Sequence, residues 1–118
     1  MPLNLDYVDH DWEEAFSFAA DEGYVKVDPK TDIKRVIASI DGDRDGPDWQ
    51  AVVELKKGGF LWISSGCDYS GWECRASGSA MYAKTLKKLF NPYNMPRHIR
   101  EDFAPLLKER GIEVNLKI

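Results

Sequence analysis

The segment Gly66-Cys67-Asp68-Tyr69-Ser70-Gly71-Trp72-Glu73-Cys74 gathers both cysteines of the chain, one of its four tryptophans, two carboxylates and two glycines. Groups this close in sequence could form a disulfide, bind zinc or activate a thiolate, and each of these has its own spacing requirement. If Asp68–Gly71 is a four-residue loop between strands, Cys67 faces Trp72 and the cysteines are diagonal neighbours, with Cβ atoms roughly 7 Å apart. A disulfide wants about 4 Å. If the loop has six residues, the cysteines face each other and a disulfide is feasible, although a reducing compartment would keep it open. Six intervening residues are more than the two to four typical of zinc-binding cysteine pairs. Only His10 and His98 could complete such a set, and both are distant in sequence. A nucleophilic cysteine needs a histidine in reach and a lowered pKa, and no neighbour in sequence supplies either. The spacing therefore favours a rigid turn that ends a strand and seats Trp72. A metal or redox site at Cys67 and Cys74 is the alternative. Asp68, Tyr69 and Trp72 are candidate partner contacts, with Tyr69 as an aromatic anchor.

A second group of carboxylates lies just upstream. Asp41-Gly42-Asp43-Arg44-Asp45-Gly46 matches the first half of an EF-hand calcium loop. The second half departs from it: the twelfth position is Val52 where a bidentate Glu belongs, and Pro47 sits where a backbone carbonyl should bind. The flanks have the alternation of strands. Asp41, Asp43, Asp45 and Asp48 thus suit a solvated hairpin loop or an acidic contact surface, and calcium would need another loop geometry.

Charge is unevenly distributed. Residues 1–48 hold 13 Asp/Glu against 5 Lys/Arg, and residues 49–118 hold 7 against 11, within a net charge of −4. No acidic residue falls between Glu73 and Glu101, whereas Lys84, Lys87, Lys88, Arg97 and Arg100 all lie in that interval. Such a segment could contact phosphates. It could equally be a solvated helix face, with lysines favoured near a helix C-terminus. Overall acidity and the lack of a nucleic-acid motif weigh against a dedicated binder.

Residues 40–90, with the Asp-Gly-Asp-Arg-Asp-Gly-Pro-Asp-Trp loop, a two-strand hairpin and the Gly-Cys-Asp-Tyr-Ser-Gly-Trp-Glu-Cys turn, resemble an uncharacterised group of small bacterial and phage proteins. The resemblance implies a bacterial or phage origin and no particular activity.

These groups must be positioned by a chain of 118 residues, a length that suits one domain (1–118) with a single fold. Hydrophobic residues at 43% and charged residues at 31% are ordinary for a globular protein. No apolar run approaches the ~20 residues of a membrane span, and the N-terminus lacks the pattern of a secretory signal, so a cytoplasmic location is expected. Trp12, Ala15, Phe16, Ala19 and Ala20 recur at helical spacing and predict a helix over 11–22, with Asp11 as N-cap, Glu14 as its capping-box partner and Gly23 as the stop. Strands are expected at 33–40, with Val36, Ala38 and Ile40 on one face, and at 49–56. Gly58-Gly59 makes the hairpin turn. The strand at 60–65 is apolar on both faces and therefore central, which requires cover on each side of the sheet. Residues 72–78 could return as a further strand. Ser79 then caps a helix over 80–90. Pro105 splits the next helical segment into 96–103 and 105–110, Gly111 is a C′ glycine, and residues 112–118 alternate as a half-buried strand.

The expected fold is α+β, an antiparallel sheet of about four to five strands with helices packed mainly on one face. The function most consistent with these motifs is a small non-catalytic interaction domain. It would bind a partner protein near the 41–48 and 67–74 loops, without a cofactor. Native mass spectrometry checks the metal and redox alternative: the mass should be metal-free and fully reduced, and unchanged by chelator or reductant.

Overall fold

The computed structural model describes residues 3–22, 26–42, 48–67 and 75–113. Helix α1 spans His10–Glu22. It is followed by strands β1 (Ile33–Ile40), β2 (Trp49–Leu55), β3 (Phe60–Cys67) and β4 (Arg75–Ala83), the short helix α2 (Leu86–Leu89) and helix α3 (Arg97–Glu109). The four strands form an antiparallel meander in the order β1-β2-β3-β4. The α+β architecture expected from the sequence is present, and the position of the strand expected at 112–118 falls largely outside the described residues.

Period-two alternation sorts the central strands into two cores. Ala51, Val53, Leu55, Leu61 and Ile63 point to one face, where α1 covers them with Trp12, Ala15, Phe16 and Ala19. Val52 and Trp62 point to the other, under Leu89 and Phe90 of the α2 region, Met95, and Ile99, Phe103 and Leu107 of α3. Among the described residues, α2 and α3 thus share a face and α1 covers the opposite one. Phe90 and Phe103 meet edge-on, with ring centroids 6.1 Å apart.

Strand β1 departs from simple alternation. Its register against β2 shifts between Ile33 and Arg35 and again between Val36 and Ala38. Each bulge inserts one residue and reverses the faces beyond it. Val36 therefore joins Ile33 on the α1 side, while Ile37, Ala38 and Ile40 all face α3. The expected grouping of Val36 with Ala38 and Ile40 is corrected for this reason. The β2–β3 turn follows expectation: Gly58 and Gly59 have φ of 101° and 87°, values that L side chains avoid.

Three local expectations are corrected by the structure. The N-cap of α1 is Asp9, whose Oδ1 accepts from the Trp12 backbone N–H at 3.0 Å, so Asp11 lies inside the helix. Residues 80–83 pair with 60–63 as the end of β4. The expected helix over 80–90 shrinks to α2, capped by Thr85, which accepts from Lys88 N–H at 3.1 Å, while Ser79 sits in β4. Pro105 does not divide α3, which continues through it to Glu109. Ile99, Phe103 and Leu107 form one buried stripe across the proline, and their burial outweighs the one backbone hydrogen bond the proline removes. At the end of α3, Gly111 N–H donates to the Lys108 carbonyl at 3.1 Å and Ile112 N–H to the Leu107 carbonyl at 2.9 Å. With Gly111 at φ 70° this is the expected C′ glycine in a Schellman motif.

Across from α1's approach, Lys30 Nζ meets Glu13 Oε1 at 2.7 Å. That hydrogen bond and the Glu13 charge hold the Lys30 ammonium above its ordinary pKa. The lysine's contribution is therefore present throughout neutral pH and is lost as pH rises beyond the usual lysine range. Both groups are exposed, so it is a minor tie between α1 and the 26–32 segment.

Helix α1 lies directly on β4 at Gly78. A Cβ there would stand 2.9 Å from the Ala19 backbone N and 2.9 Å from the Phe18 ring. Because the first obstacle is helix backbone, it cannot rotate aside. Gly78→Ala should destabilise the protein by about 1–3 kcal/mol, read as a lowered urea midpoint with an unchanged m-value.

Candidate functional site

The meander brings the β1–β2 and β3–β4 connections to the same end of the sheet, because β2 and β3 are joined by a tight turn at the other end. Trp49 at the start of β2 pairs with Ser65 near the end of β3. The loops 41–48 and 68–74, which sequence reasoning linked only by composition, therefore spring from neighbouring strand ends. Two glycines allow close contacts at this end of the sheet. A Cβ at Gly42 would overlap the Trp49 ring, so the backbone at Gly42 lies against that indole only without a side chain. A Cβ at Gly66 would fall 2.8 Å from Asp48 Oδ1, so the Asp48 carboxylate rests against the bare backbone of β3.

Below Asp48, between the sheet and the start of α3, lies an open cleft of about 710 Å³. Asp48 and Asp102 border it, with Gln50, Trp62, Ser64, Ser79 and His98 among its walls. Each strand contributes through its register. Gln50 pairs with Ser64, and Ser64 with Ser79, so three polar side chains form one row across β2, β3 and β4. His98 and Asp102 are four residues apart on α3 and share the helix face that turns to this row. The floor is preorganised: Trp62 Nε1 donates to Gln50 Oε1 at 3.2 Å, and both residues are buried. Gln50 Oε1 accepts that bond and, as a carbonyl oxygen, has a second lone pair for a further donor. The arrangement suits recognition of a polar, cationic group, with carboxylates at the rim and an indole below.

The sequence candidates separate in space. Asp48 lies on the cleft, and Asp41 is exposed at the end of β1. Asp43, Asp45, Asp68, Tyr69, Trp72 and Cys74 lie outside the described residues. Cys67 ends β3 and pairs with Arg75, a register that implies neither the four-residue nor the six-residue loop considered from sequence; its side chain is outside the described set. His10 on α1 and His98 on α3 belong to helices on opposite faces of the sheet, so they cannot meet at one metal. Among the described residues no group of three or more His, Cys, Asp or Glu side chains is placed to hold a metal ion.

The expected basic surface is dispersed as well. Lys84, Lys87 and Lys88 are exposed at the opposite end of the molecule, near the turn that carries Lys56 and Lys57. Tyr82 Oη ties these parts together by donating to the Gly58 carbonyl at 3.4 Å. Arg97 is engaged by Glu101, with Nε–Oε1 at 2.7 Å. Arg100 is only 6% exposed and donates through Nε to the Met95 carbonyl at 3.1 Å. It supports the turn before α3 and is not available to a phosphate.

Gln50, Trp62, Ser64 and Asp102 were not singled out from sequence as site residues; His98 was weighed there only as a metal ligand and Ser79 only as a helix cap. The available signals were faint: Gln50 is a polar interruption in an apolar strand, and Ser64 follows a fully apolar run. No protein-family model matches the chain, and comparisons with curated proteins and with solved structures gave no match. No described helix is long and apolar enough to cross a membrane.

Gln50→Leu should remove the Trp62 acceptor and cost about 1–3 kcal/mol. The Trp62 indole N–H resonance should shift and exchange faster, while a comparable change at exposed Ser79 leaves it in place.

Proposed function

We propose that this chain is a small non-catalytic interaction domain that binds a partner protein at the acidic end of its sheet, inserting a basic side chain of that partner between Asp48 and Asp102. The observation that carries this reading is the seating of Asp48 on Gly66 at the mouth of the cleft, beside the origins of both loops. A carboxylate held against backbone at a concave surface, with a buried Trp62–Gln50 pair beneath it, is a receptor for a lysine or arginine head. The acidic surplus of residues 1–48 would raise the encounter rate with a basic surface. The resemblance of the 66–74 turn supports an accessory protein of bacterial or phage origin.

The burial of Arg100 and the Arg97–Glu101 pair count against nucleic-acid binding through 84–100, since they take two of the five basic groups from that surface. Affinity capture from the native host, followed by titration of the captured protein against variants, tests the assignment. Asp48→Lys should weaken binding at least about tenfold, the scale of a lost charged contact at an interface, and Lys84→Glu should leave it close to wild type. Binding insensitive to Asp48→Lys overturns the assignment.

A further inference from the structure

We infer that the cleft below Asp48 selects arginine: resting on the partner-binding role assigned to it above, it takes the guanidinium of one arginine on the partner's surface and discriminates against lysine at that place. Its walls hold two carboxylates, those of Asp48 and Asp102, and among the described residues no lysine or arginine. A cation therefore finds opposite charge there and an anion finds none. The uncharged walls lean the same way. Gln50 lines the cleft although it is only 9% exposed, and its Oε1, held in place by the Trp62 indole N–H, keeps a second lone pair. Asn94, on the same wall as Pro96, donates its Nδ2 to the Lys88 carbonyl at 3.3 Å, which leaves Oδ1 as its acceptor. The Trp62 indole N–H is already engaged, so that residue adds apolar surface without a competing donor.

The spread of these acceptors selects guanidinium over ammonium. Asp48 and Gln50 are two residues apart at the start of β2, which sets their Cα atoms roughly 7 Å apart along the strand. Ser64 and Ser79 extend the Gln50 row across the sheet, and Asp102 comes from α3 on the other wall. A lysine ammonium donates all of its hydrogen bonds from a single nitrogen, so it serves one carboxylate and the groups beside it. A guanidinium carries its donors on three nitrogens that face different edges of a plane. It can fork onto the Asp48 carboxylate with one edge and donate towards the Gln50 row or Asp102 with another. An acceptor that loses water on binding and gains no donor weakens the complex. That loss falls on lysine.

Capped tripeptides of the form acetyl-Gly-X-Gly-amide, with X as arginine, lysine or citrulline, titrated into the full chain at low salt test this through the Trp62 indole N–H resonance. Citrulline keeps the shape of arginine without its charge. We expect the arginine peptide to shift that resonance and to bind at least about fivefold more tightly than the lysine peptide, the scale of one further hydrogen bond. The citrulline peptide should bind more weakly than either. Asp48 and Asp102 are both exposed, so Asp48→Asn and Asp102→Asn should fold. Each should weaken arginine binding by about tenfold, the scale of a hydrogen bond to a charged group. Circular dichroism establishes that they are folded, and the comparison of peptides on the unmodified chain decides alone if they are not. Equal affinity for arginine and lysine overturns arginine selection and leaves the partner-binding role standing. Citrulline binding as tightly as arginine also overturns it, since the cleft would then read shape and not charge. Arginine binding indifferent to both substitutions, or an indole resonance that no peptide moves, sinks the selection and the partner-binding role together.

Discussion

Strands β2 and β3 bury both of their faces, and the rest of the molecule follows from that. An antiparallel sheet can leave one face in water when its strands alternate apolar with polar residues. Here Val52, Val53, Leu61, Trp62 and Ile63 are all removed from solvent. Burial of such side chains contributes roughly 1.5–3 kcal/mol each, so leaving either face open would be costly for a domain of this size. One helix before the meander and two after it provide the two covers. The chain order places α1 on one side and α2 with α3 on the other.

Close approach of those covers to the sheet explains the glycines better than turn formation alone does. Gly58, Gly59 and Gly111 serve backbone conformation through positive φ. Gly42, Gly66 and Gly78 serve contact: against the Trp49 ring, the Asp48 carboxylate and the α1 backbone respectively. The distinction bears on function, since two of the contact glycines shape the end of the sheet where the cleft opens. A side chain at Gly66 would meet Asp48 before it met anything else.

The central hairpin was legible because its signals are local and mutually consistent. Alternation over 49–55, the Gly58-Gly59 pair and the doubly apolar 60–63 run each point to the same structure, and the register follows from them. Elsewhere local signals competed. Tyr82, Leu86, Leu89 and Phe90 have helical spacing, yet pairing of Phe60 through Ile63 with 80–83 supplies a whole ladder of hydrogen bonds. The helix retains only the turn beyond Thr85. The bulges of β1 leave no mark in composition, because an inserted residue is recognisable only by what stands opposite it. Pro105 is a strong helix breaker in isolation. The stripe of Ile99, Phe103 and Leu107, docked on the sheet, keeps the helix intact around it.

Read alone, the chain determined the class of fold, the central strands, the turn glycines and the C′ glycine, and it marked the 41–48 and 66–74 segments as the places where polar chemistry gathers. These features depend on the order of residues within a strand or a turn. Only the tertiary structure decided that Asp48 of one segment sits on Gly66 of the other, and that Gln50 and Trp62 meet beneath them. It also decided that Arg100 is buried while Arg97 is engaged by Glu101. Contacts of this kind join side chains on different strands or set a helix face against a sheet, so they are fixed by register and packing. The cysteine turn, the most conspicuous chemical feature of the sequence, is described only at its base, where Gly66 of β3 lies against Asp48 at the border of the cleft.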